Sequence, residues 1–525
     1  MVSANKNLPR NHGLFYKQAN SAFDAFDFLR VDLTLGRHRR KSNFKMPPST
    51  GNFYASWRAH AGAVNVLRDQ NDVPAERLLQ AIWLHQRLCR DRLKTVEGKT
   101  VRVFHPGFAN PEGGPDFSGA VIQIGEEAPR SGDVEIDVYA GNWHAHGHDA
   151  NPNFQNVLLH VVWDDARPVA GAPPRLSLSG SLDAPLGELC NWLESEPLRR
   201  FPENLRGKCC APLLESDERQ LTGLVREAAG LRFQAKTAYL RLRARRVGWE
   251  QCLWEGLFRA LGYKHNAWPM QTLAESRERW ARAGDSVPGL QARLFGISGL
   301  LPLELSHVPT GGDGYWRRIW DCWWRERHEF SDCILPRGAW KFRGVRPVNR
   351  PQRRLALAAH WLAAGDVVAR LEQWCTQEVP EAALPGSLRK ILEVERDEFW
   401  SWHWTFGSGR LRKPQPLLGD ARVTDLAVNV ILPWLWTRAV AGKNGTLQRV
   451  IERRYFAWPP AQDNAVLRLT RQRLLGPGRG RLCRSAAAQQ GLMQIARDFC
   501  GHANALCEGC RFPELVCAWR AQAVN

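Results

Sequence analysis

The stretch between residues 73 and 164 alternates apolar segments with turn-forming residues, and this pattern constrains the fold more than any other feature. VPAERLLQAIWLHQRL (Val73–Leu88) has apolar residues at helical spacing, and Asp72 and Pro74 are typical of a helix start. Turn residues separate the strand-like segments Thr100–Gly107, Ser118–Gly125, Asp133–Ala140 and Asn156–Asp164. The sequence therefore predicts a helix followed by a sheet of about four strands.

The remainder of the chain has a mostly helical pattern, which predicts an α+β fold. Helices are expected at Gln220–Arg246, Trp249–Leu261, Leu355–Ala364 and Asp425–Trp436, the last interrupted at Pro433. GPGRGR, residues 476–481, is a candidate linker. We expect an extension at 1–70, an α/β domain at 71–215, a helical region at 216–477 and a cysteine-bearing module at 478–525.

The chain is strongly basic, with a net charge of +19 and a pI of about 9.7. Such a balance favours polyanionic partners, mainly nucleic acid. Residues 1–70 hold eleven Lys and Arg against four Asp, which is typical of a disordered extension or of a nucleic-acid-binding arm. No apolar stretch is long and uncharged enough to predict a membrane span, and no signal-peptide core is evident. We therefore expect a cytoplasmic protein that binds no membrane.

Two carboxylates lie on neighbouring predicted strands. Asp116 opens one strand and Glu135 lies inside the next, so a hairpin would bring both to one end of the sheet. Mg²⁺ prefers oxygen ligands and binds through one or two carboxylates plus substrate phosphate. Gly113 and Gly114 would allow close approach of the backbone to a phosphate. Solvent-exposed acids on a surface hairpin are the alternative interpretation.

This arrangement resembles the PD-(D/E)xK nuclease superfamily over roughly residues 73–165. Pro115-Asp116 matches its first element, Glu135-Ile136 begins the second, and Glu76 matches the acid of the preceding helix. The resemblance implies a nuclease-like mixed sheet, with Glu76, Asp116 and Glu135 holding Mg²⁺ or Mn²⁺. One position departs from the pattern, because Asp137 stands where the superfamily has lysine.

Four histidines follow the predicted strand that carries Glu135, at positions 144, 146, 148 and 160. Imidazoles at this spacing suit transition metals. His146, His148 or His160 is therefore a candidate metal ligand, or a candidate for the basic group that the lysine would supply. The alternative for each is a hydrogen-bonded loop histidine.

A second, narrower resemblance is carried by GPDF, GDVEIDV, HGHD and NVLLHVVWD, and by ALGYKHN, RPVNRPQRR and NVILPWLW further along. These segments resemble a large bacterial family that is described only as a domain of unknown function. That resemblance covers about residues 70–520 and implies no particular activity.

Four cysteines close to the end have the spacing C-x6-C-x2-C-x6-C, at Cys500, Cys507, Cys510 and Cys517. Four thiolates this close fit a [4Fe–4S] cluster or Zn²⁺, although reduced cysteines in a helical cap would give the same pattern. The spacing resembles the iron–sulfur loop of endonuclease-III-type glycosylases, from which it differs by one residue in the last gap. Cys209 and Cys210 are predicted to be buried as small apolar residues.

Arginine and lysine crowd two segments, residues 232–246 and 343–354. Because guanidinium groups bind phosphate well, the candidate contacts to DNA or RNA are Arg232, Lys236, Arg243, Arg346 and Arg350. A solvated helix face is the alternative.

The sequence contains no P-loop, HExxH or G-x-S-x-G motif. The first functional hypothesis is a metal-dependent nuclease in which Asp137, His146, His148 or His160 completes a site built on Glu76, Asp116 and Glu135. The second is a non-catalytic nucleic-acid-binding or scaffold protein with a decayed nuclease site. The third is a transition-metal enzyme that acts on a small molecule through the histidines.

Overall fold

A mixed β-sheet occupies the first third of the chain, and helices make up most of the remaining two thirds. The computed structural model describes residues 53–60, 74–110, 114–163, 171–186, 189, 206–263, 265–301, 314–463, 465–476, 484–500, 507 and 510–523. Residues 1–52 and 61–70 of the predicted extension, residues 477–481 of the predicted linker, and Gly113 lie outside this set. The strands are β1 (Val101–His105), β2 (Phe108–Ala109), β3 (Phe117–Ile124), β4 (Arg130–Asp137), β5 (Val157–Val162) and β6 (Arg175–Ser177).

The sheet combines an antiparallel and a parallel half. Its order within the described residues is β1-β3-β4-β5-β6, with the short β2 also paired to β3. Strands β1, β3 and β4 are antiparallel neighbours, whereas β4, β5 and β6 run parallel. The four predicted strands correspond to β1, β3, β4 and β5, and β4 begins three residues earlier than predicted. An α+β fold with a mixed sheet is thus confirmed.

Strand β3 has apolar residues on both faces, so the sheet is covered on two sides. Ile122 packs with the helix α2 (Glu76–Leu84), through Leu78, Leu79 and Trp83. Val121 faces the other way and joins the core of the helical region. The start of β3 and the end of β4 lie beside α2, whose Gln80 donates to Asp116.

The helical region begins with a long helix and continues to the end of the described chain. Short helices α1 (Phe53–His60) and α3 (Asn142–Ala145) precede it in sequence. The others are α4 (Cys210–Leu214), α5 (Glu218–Val247), α6 (Trp249–Leu261), α7 (Ala267–Glu275), α8 (Arg277–Trp280), α9 (Val287–Ile297), α10 (Tyr315–Glu326), α11 (Pro351–Ala364), α12 (Val367–Thr376), α13 (Leu384–Leu392), α14 (Asp420–Leu426), α15 (Leu432–Ala441), α16 (Gly445–Ala457), α17 (Ala465–Leu475), α18 (Ala486–Phe499) and α19 (Phe512–Ala523).

The helix predicted at Asp425–Trp436 is longer than expected and contains a widened turn. A π-helical segment, Ala427–Ile431, joins α14 to α15, and Pro433 follows it directly. Proline lacks an amide hydrogen and its ring clashes with the carbonyl one turn earlier, which a wider turn relieves. Lys236 reaches this turn from α5 and donates to the Val428 carbonyl at 3.4 Å and to Asn429 Oδ1 at 2.7 Å.

All described residues belong to one compact unit, Gly51–Asn525. The boundary predicted near residue 215 lies between two helices of that unit, α4 and α5, and the one predicted at residue 477 lies outside the described residues. Helix α1 lies inside the range predicted as an extension, yet its Tyr54 and Trp57 are buried. Tyr54 donates its hydroxyl to Asp498 Oδ2 on α18 at 2.9 Å.

No helix among the described residues combines the length and the apolar composition that crossing a membrane requires.

Candidate metal centre

The β3–β4 hairpin brings Asp116 and Glu135 into direct contact. The antiparallel register pairs Phe117 with Val134, which sets the preceding aspartate beside the following glutamate. The Asp116 amide donates to Glu135 Oε2 at 3.0 Å, and the Ile136 amide donates to Asp116 Oδ2 at 3.2 Å. Backbone donors thus fix both carboxylates at the end of the hairpin.

Helix α2 adds a third acid and an amide that links it to the hairpin. Glu76 is the first residue of α2, and Gln80 lies one turn later on the same face. The Gln80 side chain donates to Glu76 Oε1 at 3.0 Å and to Asp116 Oδ1 at 2.9 Å. Glu76 was predicted as a site residue and Gln80 was not, although Gln80 lies at the i, i+4 spacing that places it on the same helix face.

Asp137 ends β4 and is held by a buried histidine of the parallel neighbour β5. His160 Nε2 lies 3.0 Å from Asp137 Oδ2, and both side chains are almost completely buried. The other carboxylate oxygen, Oδ1, lies 3.6 Å from His146 Nδ1, and His146 is half exposed. His160 therefore orients the Asp137 carboxylate from its buried side, and His146 lies near its other oxygen at the surface.

His148 connects the Asp137 group to the hairpin acids. Its Nε2 lies 3.3 Å from Glu135 Oε1, and its ring stacks on Phe154 with centroids 4.0 Å apart. Among the described residues, Asp137, His146 and His148 each offer a ligand atom, and these atoms all lie within 4.8 Å of one another. This group of three could hold a metal ion, and Glu135 adjoins it.

The protonation of these groups is shifted by burial and by one another. Burial raises the pKa of Asp116 to about 7, aided by the charge of Glu76 and opposed by the Gln80 hydrogen bond. Burial and the charge of Asp116 raise the pKa of Glu135 to about 8. Burial lowers the pKa of His148, which favours the neutral imidazole that binds metals. A bound cation would stabilise the ionised carboxylates.

His144 lies apart from this cluster. Its Nδ1 is 3.3 Å from Asp149 Oδ2, and both side chains are roughly half exposed. The structure thus brings Glu76, Asp116 and Glu135 together with Asp137, His146, His148 and His160. It gives His144 a separate surface pair.

Three of the five predicted nucleic-acid contacts make polar contacts within the chain. Arg243 forms a bidentate ion pair with Glu255, at 2.6 and 2.9 Å. Arg232 and Lys236 donate to Gln490 Oε1 on α18, at 2.7 and 2.8 Å. Arg346 is exposed and Arg350 is partly buried.

The last two arginines of the segment at residues 343–354 are buried. Arg353 donates to backbone carbonyls of Trp400, His403 and Pro416, and Arg354 donates to the Leu417 carbonyl at 2.8 Å. These two arginines hold the loop that precedes α14.

The four C-terminal cysteines differ in exposure. Cys500 and Cys507 are buried, Cys510 is partly buried and Cys517 is exposed on α19.

The fold and this group of side chains define an α+β protein whose mixed sheet carries, at the end of β4, a carboxylate–histidine group able to hold a metal ion. Comparison with family models places the chain more narrowly. Residues 76–457 match the family described as "Protein of unknown function (DUF2851)", and the chain belongs to that family. No curated protein and no solved structure matches the chain. The predicted membership of a family of unknown function is confirmed, and the description states no activity.

Proposed function

We propose that this protein is a metal-dependent nuclease that hydrolyses phosphodiester bonds of DNA or RNA. The observation that carries the proposal is the convergence of Glu76, Asp116, Glu135 and Asp137 at one end of the β3–β4 hairpin. Partly buried acids that raise one another's pKa are unfavourable without a cation, and they are common at functional sites.

The arrangement of strands supports the resemblance seen in the sequence. A helix, three antiparallel strands and a parallel strand follow in that order, as α2, β1, β3, β4 and β5. Asp116 and Glu135 would hold Mg²⁺ or Mn²⁺, with Glu76 joining from α2. Such an ion supplies an activated water and stabilises the leaving oxygen of a phosphodiester.

His146 is the proposed proton acceptor in place of the missing lysine. Asp137 Oδ1 lies 3.6 Å from its Nδ1, and in the proposed mechanism that nitrogen would carry the proton while Nε2 would be the basic atom. His160 on the far side of Asp137 fixes the carboxylate that orients the imidazole. The half-exposed ring of His146 can therefore take a proton from a water at the edge of the site.

A cavity of about 450 Å³ lies beside the candidate site, and His148 is the site residue that lines it. Its charged groups are Lys99 and Arg130 together with Glu127 and Asp149, so the cavity is close to neutral. The support for a polyanionic substrate therefore comes from the net charge of +19, which would favour association with nucleic acid.

The test is cleavage of end-labelled single- and double-stranded DNA and RNA with Mg²⁺ or Mn²⁺. Asp116→Asn and Glu135→Gln keep the shape of the side chains but remove their charges, so each is expected to lower the cleavage rate at least about a hundredfold. Glu126→Gln, in the exposed turn between β3 and β4, is the matched control and keeps full activity. Wild-type protein that binds nucleic acid without cleaving it would favour the non-catalytic hypothesis instead.

One observation favours a second candidate, a transition-metal enzyme that acts on a small molecule. The Asp137, His146 and His148 group offers two imidazoles and one carboxylate, which suits iron, manganese or zinc better than magnesium. Such an enzyme would purify with a transition metal that His146→Ala removes, and it would not cleave nucleic acid.

A further inference from the structure

Cys209 lies with the C-terminal cysteines in the fold, although it is remote from them in sequence. It directly precedes α4, and α4 packs against both α17 and α19. Cys500 follows α18, and Cys507 and Cys510 precede α19. The ends of four helices therefore meet around these thiols.

A close backbone contact links Cys209 to α17. The Gly207 amide donates to the Arg473 carbonyl at 2.9 Å. A β-carbon at Gly207 would lie 3.0 Å from that oxygen and 3.3 Å from Cys209 Sγ. Glycine thus permits the segment before α4 to lie directly on the last turn of α17.

Arg473 extends this contact to the C-terminal cysteines. Its side chain is almost completely buried, and Nη2 donates to Cys507 Sγ at 2.8 Å. The Cys510 amide donates to the Cys507 carbonyl at 3.3 Å, which closes the turn of the C-x2-C pair. A buried guanidinium that donates to sulfur is best matched by a thiolate or a metal-bound thiolate.

The thiols also act on one another electrostatically. Burial raises the pKa of Cys209 well above its usual value, and negative charge at Cys500, Cys510 and Cys507 would raise it further. Burial likewise raises the pKa of Cys500 to about 12, with Cys510 and Cys507 adding to the shift.

Cys517 faces away from this group because of its position on α19. The glycosylase-like spacing would place the last cysteine one residue earlier, at Val516, which is fully buried. One residue along a helix turns the side chain by about 100°. Cys517 is accordingly exposed.

We propose that Cys209, Cys500, Cys507 and Cys510 are the four ligands of a [4Fe–4S] cluster, and that Cys517 is not a ligand. This site is separate from the proposed metal centre and does not depend on nuclease activity.

The described sulfur atoms are not arranged as they would be around a single zinc ion. Four thiolates around one Zn²⁺ lie about 3.8 Å apart, because each Zn–S bond is about 2.3 Å in a tetrahedron. Among the described residues, no three of these cysteines bring their sulfur atoms within 4.8 Å of one another. A four-iron cube is larger and holds one thiolate at each corner.

The cluster would join the chain that follows the sheet to the C-terminal helices. Cys209 ties α4 to the loop between α18 and α19, and Arg473 adds a hydrogen bond to one of the ligand sulfurs. Hydrogen bonds to sulfur and burial are the properties that tune such clusters.

The test is the iron and acid-labile sulfide content of the full chain after anaerobic purification, together with its visible and electron paramagnetic resonance spectra. Wild type is expected to carry about four of each per chain. Cys209→Ser should lose most of the iron and sulfide, whereas Cys517→Ser should retain both. Cys210→Ser, next to Cys209 in the sequence and also buried, is the matched control and should retain them.

A rescue variant keeps the test decisive if Cys209→Ser folds poorly. Cys209→Ser combined with Val516→Cys restores a fourth thiol on the inner face of α19, so it should recover the cluster signal. Full cluster content in Cys209→Ser with loss in Cys517→Ser would overturn the proposal. Wild type that carries one zinc and no sulfide would overturn it equally.

Discussion

Asp116 and Glu135 hold protons to unusually high pH, with pKa values raised to about 7 and about 8. In the metal-free protein the unfolded chain releases these protons at lower pH than the folded chain does. Their contribution to the free energy of unfolding therefore falls as the pH rises toward 8. A divalent metal reverses this loss because it binds the ionised carboxylates.

Metal affinity should rise with pH for the same reason. Protons compete with the metal for Asp116 and Glu135 until the pH exceeds both raised values. Between pH 6 and pH 8.5 the association constant for Mn²⁺ is expected to rise at least about tenfold. Isothermal titration calorimetry at several pH values measures it, and proton uptake from the buffer rather than release would contradict this assignment.

His146 separates the two candidate functions, because only the transition-metal enzyme uses it as a metal ligand. In that enzyme His146→Ala removes a ligand atom of the Asp137 group, so we expect Zn²⁺ affinity to fall by more than about tenfold. In the nuclease the metal is held by Asp116 and Glu135, so His146→Ala should leave Mn²⁺ affinity within about twofold of wild type. His144→Ala removes only the surface pair with Asp149 and serves as the control. A large loss of Mn²⁺ affinity in His146→Ala would contradict the role of this histidine as a proton acceptor.

The residues of the candidate site could be predicted where a motif carries them. Pro115-Asp116 and Glu135 lie at a spacing that a hairpin brings together, and the structure does bring them together. The Asp137–His160 contact could not be predicted, because it depends on the parallel pairing of β4 with β5 across an intervening loop. Long-range pairing of this kind leaves no periodic pattern in the sequence.

At the scale of the elements, α5 and α18 cross in close contact. A β-carbon at Gly491 of α18 would lie 2.1 Å from the Val225 carbonyl oxygen of α5. Gln490, the preceding residue, accepts hydrogen bonds from Arg232 and Lys236 of α5. The close crossing of α5 and α18 therefore depends on the lack of a side chain at Gly491 and on the hydrogen bonds that Gln490 accepts.

Gly491→Ala should lower the free energy of unfolding by about 3 kcal/mol, because the methyl group forces the two helices apart. Gly223→Ala on α5 is the control, since a β-carbon there would have nothing within 4 Å. That change should stabilise the protein by about 0.5–1 kcal/mol, as expected for a helical glycine. Chemical denaturation measures both, and a neutral Gly491→Ala would contradict the close crossing.

The elements themselves were largely predictable from periodicity. Trp249–Leu261 is a helix with the predicted bounds, and α5 extends the predicted helix by two residues at its start and one at its end. Asp217 caps α5 and forms a capping box with Gln220, which explains the earlier start. The proline predicts an interruption at Pro433, but not that a π-helical turn would accommodate it while the helix continues.

At the scale of the whole molecule, part of the positive charge is structural. Arg353 and Arg354 are buried and satisfy the carbonyls of a loop that packs on the helical core. The sequence shows only that arginines crowd this segment, and it does not distinguish buried guanidinium groups from exposed ones. Burial depends on the packing of the loop at residues 400–417.

Arg353→Met should destabilise the protein by about 3 kcal/mol, because it leaves the buried Trp400 carbonyl and the partly buried His403 and Pro416 carbonyls without their donor. Arg346→Met removes an exposed charge and should change stability by less than about 0.5 kcal/mol. Thermal or chemical denaturation compares the two. A larger loss of stability in Arg346→Met than in Arg353→Met would contradict the structural role of Arg353.

The position of a bound metal tests the central claim most directly. Crystals of the wild-type protein grown with Mn²⁺ should show an anomalous difference peak within about 2.4 Å of carboxylate oxygens of Asp116 and Glu135. The peak should disappear in Asp116→Asn crystals grown in the same way. A fully ordered hairpin with no peak between these two residues would contradict the account of this site as a metal centre.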